Sequence, residues 1–205
     1  MKMRRVSRFA KKVYRAIHPE FKKKTDETDG SMGIYDSAPF YQCLNILAQG
    51  NQYYQRVGNK INVKSIYVRV TVNMITENTL DYNFYRVLIV RNKFAENSGT
   101  CPIADILDFN SSGGNHMNAF RYIPYLKNFK VIKDTYCRTL GKVGGLKKTH
   151  TWNWYIKQNI VCTYNQAENL ATDISLNSYW LIAYASEGAN YPEIQVDYSL
   201  SYLDC

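Results

Sequence analysis

Ten lysines and arginines stand in the first 24 residues, MKMRRVSRFAKKVYRAIHPEFKKK, against a single acid, Glu20. Ammonium and guanidinium groups at this density have one strong chemistry, the neutralisation of a polyanion, because each phosphate they meet releases condensed counterions. Lys2, Arg4, Arg5, Arg8, Lys11, Lys12, Arg15, Lys22, Lys23 and Lys24 are therefore candidate nucleic-acid-binding residues. Residues 25 to 205 carry 16 basic and 16 acidic side chains, so the whole formal charge of +9 belongs to this one end. Charge that serves solubility is spread over a surface. Concentrated here, with little apolar material to bury, it predicts a loosely ordered arm that a polyanion would relieve of its self-repulsion.

Catalytic chemistry finds no foothold. The sequence contains no HExxH, GxSxG or GxGxxG, and GKVGGLKKT (141–149) lacks the residue order of a phosphate-cradling P-loop, so no cofactor is expected. His18, His116 and His150 fall in the arm, a loop and a strand edge, without evident partners. Asp105 and Asp108 share one side of a short helical stretch and read as surface acids. Asp134, inside a strand pattern, is a candidate for a subunit salt bridge or a metal ligand. Five scattered cysteines without a CxxC pair suggest reduced thiols of an intracellular fold. No zinc finger, RNP-type motif or recognition helix is present, so phosphate contact without base readout is the expected mode.

The elements that must position these groups are mostly strands. Tyr, Val, Ile, Thr and Asn dominate, and the chain's 205 residues allow one domain with a sizeable core plus an arm. In the arm Val6, Phe9, Val13 and Ile17 recur at helical spacing up to Pro19. Such a stripe packs on a body, and a presequence or membrane-surface helix has the same pattern. Residues 22–33 read as a polar linker, giving an arm and linker over 1–33 and a body over 34–205. In KSIYVRVTVNMI (64–75), Ile66, Val68, Val70, Val72 and Met74 face one way while Tyr67, Arg69, Thr71 and Asn73 face the other. DYNFYRVLIVRNK (81–93) follows and could pair with it as a hairpin. Segments 129–140, 150–157, 178–186 and 193–204 continue the series, CPIADILDF (101–109) reads as a short helix, and loops take 94–100, 110–118, 141–149 and 163–177. Many strands and few helices predict an all-β sandwich or barrel, a jelly roll above all. The longest apolar run, YWLIAYA, is far below the roughly 20 residues of a membrane span, so no membrane partner is expected.

The stretch LAQGNQYYQRVGNKINVKSIYVRVTVN (47–73) resembles the single jelly-roll coat proteins of satellite tobacco necrosis virus and of Rep-encoding circular single-stranded DNA viruses. In that family a basic, partly helical arm leads to a QG…QRxGxxI element and then a first long strand. Here these residues are Gln49, Gly50, Gln55, Arg56, Gly58 and Ile61. FYRVLIVRNKFAENSGTCPIADIL resembles the family's second strand, loop and short helix, and FKVIKDTYCRTL its strand with a lysine and aspartate, here Lys133 and Asp134. Beyond residue 140 the likeness rests on strand count and length alone.

The resemblance implies an eight-stranded jelly roll of two four-stranded antiparallel sheets, a homo-oligomer of about sixty copies around one single-stranded genome, and an arm that faces inward. Circular DNA is favoured over RNA, the location is the virion with the host nucleus before assembly, and nothing points to a particular host receptor. Arg56 and Lys60, at the junction of arm and body, either extend the basic inner surface or serve a hairpin with structural hydrogen bonds. Calcium lies between subunits of the satellite virus relative, and no set of residues here matches its ligands. A rival from another class is a cellular single-stranded nucleic-acid-binding β-barrel module, stacking bases on Trp152, Trp154 and Tyr155, although core packing also suits the two tryptophans.

Overall fold

Period-two alternation gives a strand one face for the core and one for solvent, and this property sorts the strands into two sheets. The computed structural model describes residues 21–31, 39–73, 82–95, 101–108, 119–140, 149–186 and 192–204. The candidates Lys2, Arg4, Arg5, Arg8, Lys11, Lys12 and Arg15, and the arm helix expected there, lie outside the described residues. Among the described residues the strands are β1 (Phe21–Ser31), β2 (Phe40–Cys43), β3 (Lys60–Asn73), β4 (Tyr82–Phe94), β5 (Leu107–Asp108), β6 (Phe120–Arg121), β7 (Phe129–Leu140), β8 (Thr149–Tyr164), β9 (Ile174–Ala185) and β10 (Glu193–Asp204).

The long strands pair antiparallel in the order β1-β10-β3-β8 and, beyond a short contact, β9-β4-β7, with β2 on the free side of β9. β8 and β9 meet only at Thr163↔Leu176 and Tyr164↔Ile174. The ladder therefore divides into two four-stranded sheets, β1-β10-β3-β8 and β2-β9-β4-β7. Apart from the step from β4 to β7, each successive long strand changes sheet, which is the jelly-roll path. The fold class expected from composition and patterning is the one observed.

Three elements differ from the sequence reading. Residues 21–31, read as linker, form β1 and pair with β10 along their whole length. Their inward positions include Lys22, Lys24, Asp26 and Thr28, so no apolar alternation marks the strand. Second, β3 and β4 do not form a hairpin. β3 leaves Tyr67 and Arg69 to solvent while β4 is buried on both faces from Tyr85 to Val90, and the two belong to sheets with different surroundings. Third, the expected helix at 101–109 is a single 3₁₀ turn, Ile103–Asp105, followed by β5.

The core lies between the sheets. Val68, Val70 and Val72 of β3, Val196 and Leu200 of β10, and Val87, Ile89, Leu181 and Ala183 of the second sheet are all fully buried. Each such aliphatic side chain contributes about 1.5–3 kcal/mol through apolar area removed from water. Trp152 and Trp154 point inward from β8 and stack on each other at 5.9 Å, with Tyr85 edge-on to Trp152 at 5.5 Å. Both are half-buried and pack against the core. The second sheet is covered on its other side too. Ile103 and Ala119 lie against it, Ile103 bonding the Tyr41 hydroxyl through its backbone and Ala119 accepting from Arg86 through its carbonyl. Two-sided burial explains why VLIV (87–90) and WLIAYA (180–185) are continuous apolar runs rather than alternating ones.

Cys43, Cys101 and Cys162 are buried in this core, and burial pushes the Cys43 thiol up to about 12. Because the thiolate is the reactive form, all three are expected to resist a thiol reagent at pH 8 in the folded protein, while the half-buried Cys137 is the first of the four described cysteines to be modified. Mass-spectrometric mapping before and after adding denaturant checks this, and early labelling of Cys43 would contradict it.

Candidate nucleic-acid interface

The five described candidates divide sharply. Arg56 sits in the loop between β2 and β3 and is fully buried. Its backbone closes the loop on itself, bonding Ala48 through its N–H and Gly50 through its carbonyl. Its Nε donates to the Leu47 carbonyl at 3.1 Å and its Nη1 to the Gly58 carbonyl at 2.7 Å, while Nη2 donates to the Gln166 carbonyl. The guanidinium lies 4.4 Å from the centre of the Tyr164 ring, whose hydroxyl bonds the Asn45 carbonyl. Two arms of the fork brace the 47–59 loop and the third joins it to the 165–170 loop, so the guanidinium is engaged within the chain. This is the structural alternative of the two readings.

Lys22 is corrected in the same way. It points inward from β1 and is buried, its Nζ 2.6 Å from Asp204 Oδ2 and 2.9 Å from the Gln55 carbonyl. Asp204 Oδ1 in turn accepts from the Val57 N–H, so this pair ties the same loop to the ends of β1 and β10. Lys24, also inward, is half-buried and holds the Ile46 carbonyl at 2.9 Å and Asp26 at 3.4 Å. Asp134, considered as a subunit bridge or metal ligand, is paired within the chain. Arg86 of β4 grips it with Nε–Oδ1 and Nη2–Oδ2 both at 2.7 Å. Burial works against the charged guanidinium, but the hydrogen bonds and attraction from Asp134, together with Tyr184, outweigh it and hold its pKa above the ordinary value.

Lys23 and Lys60 remain exposed, and both project from the outer face of the first sheet. The ladder register arranges that face in rows across four strands. One row runs Lys23, Ser201, Ser65, Lys157; the next Thr25, Ser199, Tyr67, Tyr155; the next Glu27, Asp197, Arg69, Asn153. Lys64 lies on the Lys60 side of the β3 bulge and donates to Asn159 Oδ1 at 2.6 Å. Lysines thus collect at one end of the face, where the chain from residues 1–20 joins the sheet at Phe21, and the carboxylates Glu27 and Asp197 stand toward the other together with Arg69. Sequence reasoning missed Lys64 and Lys157 as charge contributors because β10, which brings β1 beside β3, is distant in the chain. Alternation had already put Tyr67 and Arg69 on the polar side.

Two open concavities flank this region. One of about 670 Å³ is lined by Lys23, Thr25, Tyr67, Arg69 and Ser199 together with the carboxylates of Asp26, Glu27 and Asp197. The other, about 480 Å³, lies between Lys23, Lys24 and the exposed rings of Tyr53 and Tyr54. Among the described residues no group of three or more His, Cys, Asp or Glu converges as a metal site. No family model matches the chain and no curated protein matches it. Among solved structures it is similar to Desmodium yellow mottle tymovirus, with a TM-score of 0.38 and 10% identity over 91% of this chain and 89% of that one. It is also similar to the 60-mer BFDV capsid protein, with a TM-score of 0.36 and 5% identity over 90% of this chain and 92% of that one.

Proposed function

We propose that the chain is a viral coat protein that self-assembles into a small icosahedral shell and packages a single-stranded genome. One observation carries the reading: a strongly basic segment is joined to the edge strand of a jelly roll at the end where the outer sheet face is itself basic. The body, which carries only a third of the net charge, then supplies the wall, and the arm supplies charge on one side of it. Lys22 and Lys24 are engaged in the body, so the arm proper is residues 1–20, with seven cations and one acid. About sixty such arms bring a net charge of about +360, enough to offset a phosphate backbone of comparable size without reading its sequence. The QG…QRxGxxI resemblance supports the same assignment, and circular single-stranded DNA is the genome it favours.

Electron microscopy of low-salt and high-salt fractions of the expressed protein, with nuclease protection on the same samples, tests this. Uniform particles of about 20 nm, the size expected for about sixty domains of this mass, should hold nuclease-resistant nucleic acid. Their nucleic-acid content should fall as salt rises. Monomers or dimers at every salt concentration, with nucleic acid freely digested, would reject the coat-protein reading in favour of a cellular binding module.

A further inference from the structure

We infer that the outer face of the β1-β10-β3-β8 sheet binds unpaired nucleic acid by base stacking on Tyr67 and Tyr155, an addition to the arm's charge that selects single strands over duplex. The inference rests on the reading that this chain binds nucleic acid, and adds where on the body it does so and in which form.

Tyr67 and Tyr155 are directly paired across β3 and β8 and both project outward. Tyr155 is 62% exposed and Tyr67 36%. Two large rings side by side keep much of their surface in water on a polar sheet face, so core packing does not account for them. Their setting is built. Asn153 Oδ1 accepts from the Tyr67 hydroxyl at 2.9 Å and from Arg69 Nε at 3.2 Å, which fixes the ring and a guanidinium relative to one another.

The charges around the rings match one occupant. Lys23 and Lys157 stand in the row on one side of the tyrosines, about 6.8 Å away along the strands, with Lys64 and Lys60 beyond. Glu27 and Asp197 stand in the row on the other side, Glu27 accepting from Gln195 Nε2 and Asp197 opposite Arg69 in the ladder. A nucleotide with its base on the tyrosine row has its phosphate drawn to the lysine row, where Lys157 is next to Tyr155 on β8, because on the other side Arg69 is offset by Asp197 and Glu27. The base's amino donors then face the carboxylates. Duplex cannot use the site, because its base faces are already stacked on one another, whereas every unpaired base has a free face for an aromatic ring.

The test uses full-length protein from the high-salt fraction. Affinities for fluorescent oligothymidine and for a duplex of equal phosphate count are measured at about 0.5 M salt, where the arm's contribution is small. Tyr67→Phe/Tyr155→Phe should bind like wild type. Tyr67→Leu/Tyr155→Leu, which keeps apolar bulk but no ring, should lose about five- to hundredfold for the single strand, with duplex binding unchanged. Should the double leucine variant fail to fold, Tyr155→Leu alone is measured, since that ring lies outside the core. Unchanged single-strand affinity, or an equal loss for duplex, would overturn the inference. Particle formation on the same preparations reports separately: a wild-type protein that never assembles counts against the coat reading, and a leucine variant that assembles but discriminates no less counts against the stacking face.

Discussion

Arg56→Met is expected to lower the unfolding free energy by about 3 kcal/mol. Three carbonyls, those of Leu47, Gly58 and Gln166, lose their donor, and each that is left without a partner costs about 1–3 kcal/mol. The cation–π contact to Tyr164 is lost with them. Against a total stability of about 5–15 kcal/mol, such a loss removes a large share of it. Lysine should recover less than half, because one ammonium cannot reach three acceptors held in a planar fork. Denaturant titrations followed by tryptophan fluorescence give the values. A shift below about 1 kcal/mol would mean that the three carbonyls find other partners when the fork is removed.

Removing Asp134 is the second large effect. Asp134→Ala leaves Arg86 charged, 6% exposed and without its bidentate partner, at an expected cost of about 3–5 kcal/mol. The bonds from Arg86 to the Ala119 carbonyl and the Tyr184 hydroxyl, both to uncharged acceptors, cannot compensate for the carboxylate. Because the bond to Ala119 holds the segment lying over the second sheet, amide exchange around residues 119–126 should accelerate beyond the global change. Asp134→Asn, which keeps one acceptor, should fall between. Arg86→Met combined with Asp134→Leu should regain most of the loss, since an apolar pair needs no desolvated charge. A double variant as unstable as Asp134→Ala alone would show that the site depends on the ion pair rather than on filled volume.

These two arginines mark where the sequence stops being legible. Alternation of Val68, Val70 and Val72 with Tyr67, Arg69 and Thr71 reveals β3, because one of its faces is apolar. β10 is legible for the same reason, and its expected bounds coincide with those observed. β1 is not, because Lys22, Lys24 and Asp26 take the inward positions and are satisfied by Asp204, by loop carbonyls and by Tyr198, all distant in the chain. A charged side chain carries no local sign of whether its partner is a phosphate or a buried carbonyl. Arg56 and Lys22 therefore read like Lys23 and Lys60, and only the folded chain separates them. The pairing of Tyr155, already a stacking candidate in the sequence, with Tyr67 is hidden for a related reason: the two are 88 positions apart and become neighbours only through the β3–β8 register.

The place of β10 has a consequence for how the molecule is made. It fills the slot between β1 and β3, so the first sheet has a gap at its centre until residues 193–204 have left the ribosome. Until then β1 has no partner, Asp204 is not there to receive Lys22, and one edge of β3 lacks its neighbour. Closure of the sheet must wait for residues 193–204, and with pairings this distant it is slow. A nascent or truncated chain thus carries the basic residues of its first 24 positions before the sheet they lead into is closed, and β10 is the strand that completes it.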